Sequence, residues 1–178
     1  MVYVGGRQMT NALIKGKKVP QKVLQYFPLK SRLQRLYMSR KTAKDMQWHK
    51  EKRVEDGIMR HPADSFAWKS FDDEYSSFSD DARNVRLGLA CDGFQPFKDS
   101  QYSICPVVLI PYNLPPWICM KAHSFILTLL IPGPSSPVRD IDVYLQPLIE
   151  ELKELWEKGI ETYDAHSKTN FVMRAAVL

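Results

Sequence analysis

Four consecutive apolar residues, Val107, Val108, Leu109 and Ile110, stand between Pro106 and Pro111. Proline has no N–H to give a helix interior and disfavours helical backbone just before it. A run this short, closed at both ends, reads as a strand buried on both faces. A second run precedes it in RNVRLGLACDGFQPF, residues 83–97. Val85, Leu87, Leu89 and Cys91 fall on one face by period-2 alternation, and Arg86, Gly88, Ala90 and Asp92 on the other; Gly93 then breaks the strand. A third run, 125–131, is closed by Pro132-Gly133-Pro134. Three strands with short connections predict an antiparallel meander.

The stretch 139–159 is the strongest helix signal. Ile141, Leu145, Leu148, Leu152, Leu155 and Trp156 form one apolar stripe. Glu150, Glu151, Lys153, Glu154, Glu157 and Lys158 form the wet face. Asp140 is placed to cap the helix and Gly159 to stop it. Pro147 lies too deep for a first turn and predicts a kink or a late start. The pair Asp140 and Asp142 reads as capping and favourable charge at the helix N-terminus. Residues 162–170 read as a polar loop and 171–178 as a fourth strand. The fold class is α+β.

Charge is uneven along the chain. Residues 1–60 carry 15 Lys and Arg against 4 Asp and Glu, and residues 61–178 carry 10 against 16. A basic arm before an acidic domain points to a polyanionic partner, or to a solvated linker that keeps the chain soluble. The chain divides into a basic arm (1–60), a helical connector (61–82) and a strand–helix domain (83–178). Residues 1–21 read as a flexible lead-in. From Pro28, Leu29, Leu33, Leu36 and Tyr37 recur at helical spacing, with Arg32, Arg35 and Arg40 opposite. A second helix is expected over 42–53 and includes Lys44; Lys41 lies just before it. Such short basic helices can lie along a nucleic-acid backbone by counterion release, or dock on the rest of the protein. Neither pattern reads individual bases.

Asp56-Gly57 marks a turn, and Asp64 or Ser65 can cap a helix through Phe66, Trp68 and Phe71. His61 reads as a packed, hydrogen-bonded residue. The acidic run Asp72-Asp73-Glu74 reads as a solvated helix end. Cys91, Cys105 and Cys119 include no C-x-x-C pair and read as reduced, small hydrophobes in a reducing compartment. The apolar window near 102–120 is broken by Pro106, Pro111, Pro115 and Pro116, and the N-terminus lacks the apolar run of a signal peptide, so no membrane segment is expected. Asp92 is a carboxylate at the end of a buried strand, backed by small residues. Such a group either ends the strand in a plain turn or holds a metal ion.

Several stretches resemble plant transposases of the CACTA (En/Spm-like) class: YFPLKSRLQRLYMS (26–39), MQWHKEKRVEDGIMRHPAD (46–64), RNVRLGLACDGFQPF (83–97), PVVLIPYNLPPWICMK (106–121), the long run 129–165 and MRAAVL (173–178). The resemblance spans about residues 19–178. It implies a cut-and-paste DNA transposase of the DDE type on a ribonuclease-H-like fold, acting in the nucleus on transposon ends. It implies Mg²⁺ held between carboxylates, because hard cations prefer oxygen ligands. Asp92 matches the position of the first acidic ligand. Arg32, Arg35, Arg40, Lys41 and Lys44 are the implied nucleic-acid contacts. In the family the MRAAVL strand runs on into a segment like WTINDFPA, which carries the second acidic residue. The chain stops at Leu178, so the resemblance implies an incomplete ribonuclease-H-like domain, a fragment without catalytic activity. The alternative is a regulatory module that binds DNA or a full-length transposase.

Overall fold

The structure is a computed structural model that describes residues 2–3, 12–14, 17–19, 23–94, 103–133 and 141–178, the first three segments as backbone. The chain opens with β1 (Val2–Tyr3), the hairpin β2 (Ala12–Ile14) and β3 (Lys17–Val19), and β4 (Leu24–Tyr26). Helices α1 (Lys30–Met38), α2 (Arg40–Asp45) and α3 (Trp48–Glu51) follow, then α4 (Phe66–Glu74) and α5 (Ser76–Ser79). Next come β5 (Val85–Cys91), β6 (Ile104–Pro111), the short α6 (Pro116–Cys119) and β7 (Ile126–Pro132). The chain ends with α7 (Ile141–Glu157), β8 (Ile160–Asp164), β9 (Thr169–Met173) and β10 (Ala175–Val177). The fold is mixed α+β.

The main sheet has the order β1-β4-β7-β6-β5-β10. The meander β5-β6-β7 is antiparallel, as its three apolar runs require. β6 is buried at Val107, Leu109 and Ile110, between two neighbouring strands. A bulge between Val107 and Val108 skips Thr128, whose hydroxyl donates to the Val107 carbonyl at 2.9 Å. β10 pairs with β5 in parallel, Ala175 opposite Val85 and Val177 opposite Leu87. A parallel pair needs a long crossover. Here it runs through β6, β7, α7 and the β8–β9 hairpin.

Leu33 and Tyr37 of α1 and Leu148 and Leu155 of α7 join Leu87, Leu109 and Leu129 of the sheet in one buried cluster. The basic helices therefore dock through their apolar side. Glu151 of α7 lies in the joint, not on the wet face. Its carboxylate accepts from the Leu29 and Lys30 backbone N–H groups at 2.8 and 2.9 Å and from the Tyr26 hydroxyl. α1 has no capping side chain of its own. A helix start needs acceptors for its first N–H groups, and a partner helix supplies them.

Three expectations change. Residues 162–170 are not a loop, because β8 and β9 form a second sheet. Thr162 and Asp164 are buried while Glu161 and Tyr163 are exposed, so a period of two hides under polar composition. The predicted fourth strand is two strands. Its backbone breaks at Arg174, whose N–H donates to Asn84 Oδ1 at 2.8 Å, and only 175–177 joins the main sheet. Pro147 neither delays nor breaks α7. The carbonyl it cannot bond belongs to Val143, a solvent-exposed residue, so water can take that bond. Gly159 ends α7 as predicted, at φ 67°, with its N–H on the Glu154 carbonyl. The expected cap Asp140 lies outside the described residues.

Candidate functional site

The end of β5 changes character along its length. Val85, Arg86, Leu87 and Gly88 are buried, while Leu89 and Ala90 are exposed. Gly88 has no room for a side chain, since a Cβ there would stand 2.1 Å from the Tyr112 ring. The pairs Cys91↔Val107 and Phe94↔Ile104 share one register, so Asp92 faces Pro106. Proline offers no N–H across that rung. On the other flank the Leu178 N–H donates to the Leu87 carbonyl at 2.9 Å. Asp92 is exposed and takes part in no ion pair among the described residues.

That position suits an oxygen ligand, but a divalent cation needs several. Among the described residues no group of three or more His, Cys, Asp or Glu converges to hold a metal. One carboxylate does not hold a catalytic metal pair, so the described residues do not form a Mg²⁺ site by themselves. Asp142 is exposed on the first turn of α7. Asp164 is buried at the β8–β9 turn, where Oδ1 accepts the His166 and Ser167 N–H groups at 2.8 and 3.3 Å. It shapes that turn.

Beside Asp92, the β5–β6 hairpin sets Cys91 and Cys105 side by side, with Cα atoms 6.4 Å apart, within the span a disulfide bridges. The hairpin brings together residues that no short spacing motif would pair. Cys119 is free and buried, and burial pushes its thiol up to about 11.

Three positions back from Asp92 along the strand face, Arg86 is only 1% exposed. Its Nε and Nη2 donate to Asp72 Oδ1 at 3.0 and 2.5 Å. Asp72 is thus not a solvated helix end. It is the counter-charge of a buried arginine and also accepts from Trp68 Nε1 at 3.0 Å. A charge taken out of water needs such a partner. Ser65, not Asp64, caps α4, accepting from the Trp68 N–H at 3.2 Å. His61 is packed as expected: Nδ1 accepts from the Ala63 N–H at 3.2 Å and the ring meets Trp48 edge-on. His49 is buried too, and among the described residues neither ring nitrogen has a hydrogen-bond partner.

The basic residues separate into two groups. Arg32, Arg35 and Lys41 line one cleft of about 550 Å³, between α1–α2 and the α6–β7 connection. Arg32 is anchored there, Nη1 donating to the Leu127 carbonyl at 2.6 Å. Arg40 and Lys44 are exposed on α2 and do not line the cleft. His123 and Phe125 form part of the opposite wall. No sequence period links residues 32–41 to 123–125, so reading the chain alone did not unite them.

Residues 56–178 match the family described as transposase family tnp2. The chain belongs to that transposase family. Its function is therefore transposase-related, and its origin lies with transposable elements. No curated protein and no solved structure matches it. Within the tnp2 match lie β5 with Asp92, the whole meander, α7 and β10; α1, α2 and their cations precede it. No helix among the described residues is long and apolar enough to cross a membrane.

Proposed function

We propose that this tnp2 chain is part of a DDE-type, Mg²⁺-dependent cut-and-paste DNA transposase of the CACTA class found in plants, working in the nucleus. One observation carries the reading. The strand order β7-β6-β5-β10, an antiparallel meander whose first strand pairs in parallel with a strand after the long helix, has the connectivity of a ribonuclease-H-like core. In that arrangement carboxylates at the ends of two adjacent parallel strands share metal ions. Asp92 stands at the end of one of them. The β5–β10 register pairs each residue with one 90 positions earlier, Ala175 with Val85 and Val177 with Leu87. A continuation like WTINDFPA would bring its aspartate opposite Gly93, next to Asp92. The metals would activate the attacking oxygen and steady the leaving one.

Among the described residues Asp92 is the one carboxylate assigned to this site, and on this reading they are inactive by themselves. Two experiments test it. Purified chain is incubated with supercoiled plasmid and Mg²⁺; nicking that disappears in Asp92→Ala would contradict the inactivity. In the second, residues 56–178 replace the matching segment of an active CACTA transposase. Excision is expected to survive the exchange and to be lost with Asp92→Asn, which removes a charged oxygen ligand of the metals. Excision that ignores the Asn substitution overturns the role of Asp92.

A second reading, a DNA- or transposase-binding regulator without catalysis, is favoured by the exposed cations Arg35, Arg40, Lys41 and Lys44. Filter binding against salt separates the two. An interface of this charge predicts a steep fall of affinity with salt, and no DNA affinity at low ionic strength removes the second reading.

A further inference from the structure

We propose that the cleft between α1–α2 and the α6–β7 connection is a seat for one unpaired nucleotide of a nucleic-acid strand. The inference rests on the reading that the chain handles DNA. The cleft's lining carries three cations, Arg32, Arg35 and Lys41, against one carboxylate, Asp45. Arg35 and Lys41 are exposed, and among the described residues neither has an ion-pair partner. Their charges are available to a phosphate, which arginine can bind through two parallel N–H donors.

Apolar side chains line the cleft as well: Leu36, Ile118 and Phe125, the last with 37% of its surface exposed. An exposed aromatic ring beside cations is how single-stranded nucleic acid is held: phosphate on the cations, base on the ring. The volume of about 550 Å³ falls in the range of about 300–1,000 Å³ usual for small-molecule sites. A nucleotide enters such a space; a base stacked inside a duplex does not. An acidic peptide would satisfy the cations and leave Phe125 without a partner.

Fluorescence anisotropy with the full chain tests this. The probes are a short oligothymidylate, an abasic strand of equal length, a blunt duplex and a polyglutamate peptide. Arg35→Glu with Lys41→Glu removes two of the cleft's cations. Arg40→Glu with Lys44→Glu makes the same change of net charge outside the cleft. All four side chains are exposed, and melting by circular dichroism checks that each variant folds. The cleft pair is expected to weaken oligothymidylate binding at least about tenfold more than the control pair, and to flatten the log–log salt slope by about 1.4, two contacts at about 0.7 each. Phe125→Ala is expected to cost about tenfold on oligothymidylate and nothing on the abasic strand. Equal losses from both charge pairs would leave DNA binding standing and overturn the cleft as its seat. Polyglutamate binding as tightly as oligothymidylate, or a silent Phe125→Ala, would also overturn it. Absence of binding to any nucleic acid at low salt would remove the DNA reading itself.

Discussion

The Arg86 guanidinium lies 4.8 Å from the Trp68 ring centre and 5.1 Å from that of Phe78, with Asp72 closing its third side. Burial pushes its pKa down and Asp72 opposes that push. Asp72→Ala should destabilise the fold by about 3 kcal/mol, because it strands a buried cation; Arg86→Met, which leaves no charge in the core, should cost less. Urea midpoints of the two variants give the order. Sequence alternation placed Arg86 on one strand face but named no partner for it, since Asp72 is 14 residues away on another element. His49 gives a pH-dependent prediction. Burial, then the nearby Arg86 charge, hold its pKa down to about 3. The folded ring is neutral, while the unfolded ring takes up a proton below about 6.5. Its stabilising effect is complete above pH 6.5 and is lost as pH falls from there toward 3. Urea midpoints of the native chain should therefore decline between pH 6.5 and 4, and the decline should be shallower in His49→Phe. Equal slopes would show that another group governs it.

At the scale of elements, the joint between α1 and α7 depends on one carboxylate. Glu151→Ala removes the acceptor for the Leu29 and Lys30 N–H groups and should cost about 1–2 kcal/mol. Burial foremost, and then the hydrogen bond to Glu151, hold the Tyr26 hydroxyl protonated well above its ordinary range. The same variant should lower the Tyr26 titration, read by its phenolate absorbance. The strands and α7 were legible because their apolar periods are strong and their ends are marked by Pro or Gly. β4 was not: three residues, Leu24–Tyr26, are too few to show a period. β8 and β9 were not, because their buried positions include Thr162 and Asp164, which look like loop residues until the hairpin closes on them. Cys91 on β5 and Cys105 on β6 stand where oxidation would bridge them. A loop of this length predicts that Cys105→Ser loses about 3 kcal/mol under oxidising conditions and almost nothing in reductant. Unfolding with and without reductant measures that difference.

Across the whole molecule, two buried asparagines tie the layers together. Asn113 Oδ1 accepts from the Arg86 N–H at 2.7 Å, and its Nδ2 donates to the Asn84 carbonyl at 2.9 Å. Asn84 in turn donates to the Phe78 carbonyl at 2.8 Å and accepts from the Arg174 N–H at 2.8 Å. Asn84→Ala should cost about 1–3 kcal/mol, the range for leaving buried partners unpaired. Hydrogen exchange should quicken first at Arg174 and along β10. The sequence alone determined the three meander strands and the long helix, the transposase resemblance, and the placing of Asp92 at a strand end. Those follow from local periods, turn residues and motif wording, all carried by neighbours in the chain. Only the tertiary structure decided which charges are paired, which cysteines meet, that Glu151 caps a distant helix, and that Arg35 and Lys41 share a cleft with Phe125. Each of these depends on groups brought together across long separations by the burial of apolar surface, which has no direction of its own and leaves no spacing in the sequence.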